Sequence, residues 1–263
     1  MKTLQQIMIA LACVTLCGAC QWGNNTLPMA DVLKTDSVGA RIDDGKGLYH
    51  ISAEFAKTPA IAEWMSEMLG GTYEGDYLDG SKMMDYYAGE QKKNMLKDFE
   101  VDIDDEAFEE RASEFQFDAR FIKDYETPRY VTYNLTEDIY CGGAHGSYLI
   151  YGQTFRKSDG RRITWDILKD QYSDEFQGIL KDGLKEYFEV DSDEKLQECF
   201  LNPDHIYLVP LPQQPPFFKE DGVHFVYQQY EIAAYAFGLP SFVVSYDRIR
   251  PFLNVTGQRL IGE

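Results

Sequence analysis

The tightest constraint on this chain is an alternation. In SEFQFDARFIKDYE, Phe115, Phe117, Ala119 and Phe121 alternate with Gln116, Asp118 and Arg120. A period of two sends the apolar set to one face and the polar set to the other, as in a strand with one wet face. RYVTYNLTEDIY repeats the device with Val131, Tyr133 and Leu135. SYLIYGQTF is apolar on both parities and reads as a central strand. The connections are short and rich in turn formers: YCGGAHG between the second and third strands, KSDGR after the third. Neighbouring strands joined this way predict an antiparallel sheet.

The flanking segments change period. GLYHISAEFAKTP alternates and stops at Pro59, and Ile61, Trp64, Met65, Met68 and Leu69 follow at helical spacing. A second helix is expected from about Ser81 to Asp98. Farther on, Ser173 is a good N-cap for a helix with Phe176, Ile179, Leu180 and Leu184 in one stripe, and Ser192 caps a shorter one. HIYLV and PSFVVSY read as strands, and Asp221-Gly222 as a hairpin turn. Strands and helices are grouped without strict alternation. The expected class is therefore α+β, with antiparallel sheets, helices packed on one face, and two sub-domains. The expected divisions are 1–19, 20–45, 46–127 and 128–255.

The first division reads as a leader. A charged Lys2 precedes an apolar run from Ile7 to Leu16, too short to span a bilayer. Gly18 and Ala19 then precede Cys20, so CGAC resembles a lipobox with Cys20 as the lipidated residue; Cys17 stands where Leu is usual. Residues 20–45 show no sustained period and read as a tether. The expected location is the bacterial cell envelope, with membrane contact only through the lipid. Asp and Glu total 44 against 25 Lys and Arg, a net charge of -19. Nucleic acid is a poor partner for such a surface, and a cationic protein a better one. In the tether, TDSVG resembles the Asp-Ser/Thr-apolar sequon for bacterial O-glycosylation, with Ser37 as acceptor.

Two segments are candidates for function. In YCGGAHG, Gly142 and Gly143 permit a tight reversal, Gly146 permits close packing, and His145 is placed on a loop carried by rigid strands. In YQQYEIAAYAFG, Tyr227, Tyr230 and Tyr235 offer rigid contact area with hydroxyls, or else aromatic core packing. No histidine, cysteine or carboxylate stands at a recognised metal or nucleophile spacing, so no cofactor, metal or catalytic residue is expected. A hydrolase or deacetylase using His145 is the competing reading. Cys141 and Cys199 are candidates for one disulfide in an oxidising compartment; Leu196, Cys199 and Phe200 also share a helical face, as around a buried cysteine.

YCGGAHGSYLIYGQTF, RRITWDILKD and GVHFVYQQYEIAAYAFGLPSFVVSYDRIRPFL together resemble the RsiV-like ectodomain, over about residues 128 to 253. That unit, of largely uncharacterised function, occurs in a lysozyme-sensing anti-sigma factor and beside a peptidoglycan deacetylase domain. The resemblance implies the binding part of such proteins. Sigma-factor inhibition and deacetylation belong to other segments and are not carried over. The expected partner is a cationic, lysozyme-like protein or a cell-wall glycan.

Overall fold

The computed structural model describes residues 28–45, 47–100, 115–142 and 144–262. Cys20 and Gly143 lie outside the described residues. Five strands form one sheet in the order β1 (Asp36–Asp43), β2 (Gly47–Phe55), β3 (Phe115–Glu126), β4 (Tyr130–Tyr140), β5 (Ser147–Arg156). All pairs are antiparallel except β2 with β3, which run parallel. The parallel pair departs from the wholly antiparallel expectation. Its cause is the long connection between the two strands, which holds helices α1 (Pro59–Met68) and α2 (Gly80–Glu100).

Those helices cover one face of the sheet. The face presents Tyr49, Ile51 and Phe55 of β2, Phe117 and Phe121 of β3, and Tyr133 of β4, all buried. Trp64 of α1 meets Phe121 edge to face at 5.4 Å, and Phe155 of β5 at 5.8 Å.

A second core lies beyond β5. Helices α3 (Asp174–Phe188) and α4 (Asp193–Cys199) pack with a three-stranded antiparallel sheet of β6 (Phe217–Phe218), β7 (Val223–Val226) and β8 (Ser241–Val244). Phe176, Leu180 and Leu184 supply the helical stripe, and Phe225 stacks on Phe242 at 5.2 Å. Ser173 and Ser192 cap α3 and α4 as expected, accepting from the N–H groups of Phe176 and Lys195. Two short helices close the described chain, α5 (Tyr246–Ile249) and α6 (Val255–Ile261).

The two cores meet at β4, β5 and β6. Thr132 Oγ1 donates to the Phe218 carbonyl at 2.6 Å, and the Phe218 N–H donates to Thr154 Oγ1 at 2.9 Å. Gly152 makes the approach feasible: a Cβ there would lie 2.1 Å from the Phe217 ring.

Several expectations change. Asp36–Asp43, read as tether, is an edge strand whose eight residues all pair with β2. Ser37 is on that edge and exposed. The division at 127/128 falls inside the β3–β4 hairpin of a single sheet. SYLIYGQTF is an edge strand; it is apolar on both parities because the first core covers one face and β6 and the segment after Tyr227 approach from the other side. HIYLV is no strand: Pro203–Ile206 is a 3-10 turn opened by the Asn202 side chain, and Tyr207 and Leu208 are exposed. Cys141 and Cys199 are not bonded to one another. The first packs against the first core, whereas the second ends α4 beside the second core, its thiol donating to the Lys195 carbonyl at 3.4 Å.

Candidate functional site

The loop after β4 and the tyrosine segment, far apart in sequence, come together at one end of β5. Gly142 has φ +81°, the left-handed conformation that glycine adopts without a Cβ penalty. Gly146 is closed in: a Cβ there would meet the Ile139 carbonyl oxygen at 2.8 Å. Between them His145 is exposed and lies flat on Tyr235, ring centroids 3.9 Å apart and planes inclined by 24°. The Tyr235 hydroxyl donates to the Gly146 carbonyl at 3.0 Å, and His145 Nδ1 lies 3.0 Å from the same oxygen. A carbonyl only accepts, so that contact needs the imidazole proton on Nδ1.

Side-chain amides hold the two segments together. Gln228 Nε2 donates to the Ile150 carbonyl at 2.7 Å and its Oε1 accepts from the Ile150 N–H at 3.2 Å. Gln229 Oε1 accepts from the Tyr148 N–H at 3.2 Å. The open edge of β5 is thus satisfied by glutamines standing in for a sixth strand. Glu231 fixes the turn from within, one oxygen accepting from Gln228 N–H at 2.7 Å and the other from Gln213 N–H at 2.5 Å. Burial raises its pKa, against the lowering effect of those two hydrogen bonds.

Inside this turn Tyr230 adopts φ +63°. A bulky residue in that region is strained, and such strain concentrates at functional positions. Tyr230 is 48% exposed, and its ring centroid is 5.8 Å from that of Tyr235. His145, Tyr235 and Tyr230 therefore form a ledge of three rings at the solvent boundary. Tyr227 does not belong to it: it is fully buried in the second core, and its hydroxyl donates to the Pro210 carbonyl at 2.8 Å. Gln228, Gln229 and Glu231 are the residues that sequence reasoning missed. Gln228 and Gln229 follow Tyr227 directly, and nothing in their type announces an edge-capping role.

Beside the ledge, the open face of the sheet is charged. Register aligns Arg41, His50, Asp118, Asp138 and Tyr148 in one row across all five strands. Arg120 donates to both Asp118 oxygens, at 3.0 and 2.7 Å, and this pairing lowers the Asp118 pKa. On the opposite face Glu137 is buried, with no side-chain hydrogen bond among the described residues, and burial pushes its pKa up to about 7.

No carboxylate or thiol among the described residues lies within hydrogen-bond distance of the His145 ring. No three His, Cys, Asp or Glu side chains among them converge as metal ligands. No described helix is long and apolar enough to cross a membrane.

Residues 165–247 match the sequence model of DUF3298, described as a protein of unknown function. The match contains the tyrosine segment and leaves the five-stranded sheet and glycine loop outside it. No curated protein matches the chain. A DUF3298-family structure from Bacteroides fragilis is similar with a TM-score of 0.68 and 17% identity, covering 87% of this chain and 96% of that one. A second, from Pseudomonas aeruginosa, has a TM-score of 0.59 and 13% identity, covering 85% and 95%. At these identities the likeness establishes the fold, over both cores.

Proposed function

We propose that this chain is a lipid-anchored binding protein of the bacterial cell envelope, and that it captures a basic, muramidase-like protein on the ledge of His145, Tyr235 and Tyr230. The observation that carries the reading is that ledge: three exposed or half-exposed rings on a pinned scaffold, one of them in a strained backbone conformation. Rigid aromatic groups give large contact area at low entropic cost. The net charge of -19 favours a cationic partner and steers its approach.

The position of the ledge supports the same reading. Met29 enters beside Lys157, at the end of the sheet where β5 finishes, whereas the glycine loop sits where β5 begins. Eleven residues of β4 separate the two ends, about 35 Å of strand. A chain lipidated at Cys20 presents the ledge away from its anchor. Hydrolysis through His145 is the weaker reading, because among the described residues the imidazole has a carbonyl and a tyrosine ring as its polar and ring contacts.

The test is surface plasmon resonance of the full chain against a lysozyme, with soluble wall fragments as a second analyte. Lysozyme binding that is lost in Tyr235→Ala supports the proposal. Binding of wall fragments alone replaces the partner with a glycan, and silence of both analytes at low salt overturns it. Membrane fractionation of Cys20→Ser tests the anchor separately: normal retention of that variant removes the lipid from the proposal.

A further inference from the structure

At the sheet end opposite the ledge lies a cavity of about 240 Å³ lined by Arg129, Arg156, Ser158, Thr256, Arg259 and Leu260. Three guanidinium groups from three elements meet there, in a chain whose net charge is -19. They are positioned by different means. Arg129, in the β3–β4 turn, donates through Nε to the Leu260 carbonyl at 2.9 Å, which leaves its terminal nitrogens available. Arg156, at the end of β5, is forked onto Asp159, with Nε to Oδ1 at 2.8 Å. Arg259, on α6, is exposed and makes no ion pair or hydrogen bond among the described residues. Among the described residues, only Arg156 of the three is paired to a carboxylate, with Asp166 acting on it from farther away. The hydroxyls of Ser158 and Thr256 add two more donors on the same walls.

We propose that this cavity is an anion site that takes a phosphate oxyanion. A carboxylate presents its two oxygens in one plane, where a single guanidinium fork meets both. Donors arriving from the Arg259 guanidinium, the terminal nitrogens of Arg129 and two hydroxyls suit a tetrahedral group with oxygens in several directions. The inference goes beyond the aromatic ledge and does not depend on it. The cavity also has a distinctive address. Lys157 and Ser158 follow Arg156 directly, and the Met29 N–H donates to the Lys157 carbonyl at 2.7 Å. Positions 20 and 29 are nine residues apart, a reach of about 30 Å when extended. If Cys20 carries lipid, a phospholipid headgroup is within range of the site; a free phosphate offers the same chemistry without a membrane.

The full chain, purified in detergent, is melted in the presence of inorganic phosphate or of glycerophosphoglycerol, the deacylated headgroup of phosphatidylglycerol, with chloride at matched ionic strength as the reference. A ligand that binds only the folded state raises Tm saturably. The proposal requires such a rise with at least one probe, and an apparent affinity about tenfold weaker in Arg259→Gln. Arg259→Lys, which keeps the charge without the fork, is expected to fall between the two. A stronger response to glycerophosphoglycerol assigns the site to lipid headgroups, and a stronger response to inorganic phosphate assigns it to the free ion. Arg259 has no side-chain partner among the described residues, so the unliganded Tm of its variants is expected to match the parent. The proposal is overturned by no rise with either probe, or by an equal rise in Arg259→Gln.

Discussion

Lys157 is buried to 3% exposure, and its ammonium group donates to Glu126 Oε1 at 2.5 Å. The same ammonium donates to the Asp31 carbonyl, while Glu126 also accepts from the Leu33 N–H at 2.7 Å and from Lys123 at 2.9 Å. This pair straps residues 31–33 across the ends of β3 and β5. Removing one partner of a buried ion pair leaves the other charge uncompensated, so Lys157→Met is expected to destabilise by about 3 kcal/mol. Urea unfolding of parent and variant measures it. A change below about 0.5 kcal/mol would show that the strap contributes nothing beyond a surface contact.

Glu137 makes stability depend on pH. Its folded pKa is pushed up to about 7 by burial, above the usual 4.5. Between those values the folded chain holds a proton that the unfolded chain has released. The contribution is therefore complete below about pH 4.5 and is lost as pH rises through about 7, by roughly 3 kcal/mol in all. Glu231, also raised by burial, adds slope of the same sign. Glu137→Gln is expected to flatten the dependence and to be more stable than the parent at about pH 8. Denaturant midpoints across pH decide this, and an unchanged slope in the variant would rule out Glu137 as its source.

Docking of the two cores rests on a missing side chain. Gly152→Ala places a methyl group where the Phe217 ring lies, so overpacking is expected to destabilise by about 2 kcal/mol or more. At Gly142, where nothing crowds the position and only φ is unusual, alanine is expected to cost about 1 kcal/mol. Melting temperatures of the two variants should fall in that order. The reverse order would mean that Phe217 moves aside freely.

Tyr230 separates stability from binding. Relieving φ +63° with Tyr230→Gly is expected to stabilise the chain by about 0.5–1 kcal/mol, because a side chain in that region carries strain of this order. The same variant is expected to bind the ledge's partner more weakly. A chain that melts higher and binds less well shows that the strain serves recognition. Lower stability with unchanged binding would make Tyr230 an ordinary turn residue.

The fold was legible where pattern and packing agree. Phe115 to Phe121, Val131 to Leu135 and the Ser173-capped stripe each formed the element their period implies. The edge strand Asp36–Asp43 was hidden because its only large apolar residues, Val38 and Ile42, are half exposed, so its residues carry little apolar pattern. Asn254 is the N-cap of α6, accepting from the Gly257 N–H at 3.0 Å. The site was half legible. His145, Tyr230 and Tyr235 could be picked out by residue type, and Tyr227 was chosen on the same grounds, but its burial depends on Pro210, across a proline-rich link. The contacts that pin the ledge, Gln228 to Ile150 and Gln229 to Tyr148, span 78 and 81 residues, a separation that local periodicity does not register.

The strap at Lys157 also decides how the molecule answers a pull. Tension entering from residue 28 meets Met29, Asp31 and Leu33, bound to Lys157 and Glu126, before it reaches β1. Without the strap, the same force would act on Asp36 at the tip of an edge strand and open β1 from β2 one hydrogen bond at a time. With it, the load passes into β3 and the end of β5, and is shared across the paired strands β3, β4 and β5. The buried ion pair is then a mechanical stop for a pull that enters ahead of β1.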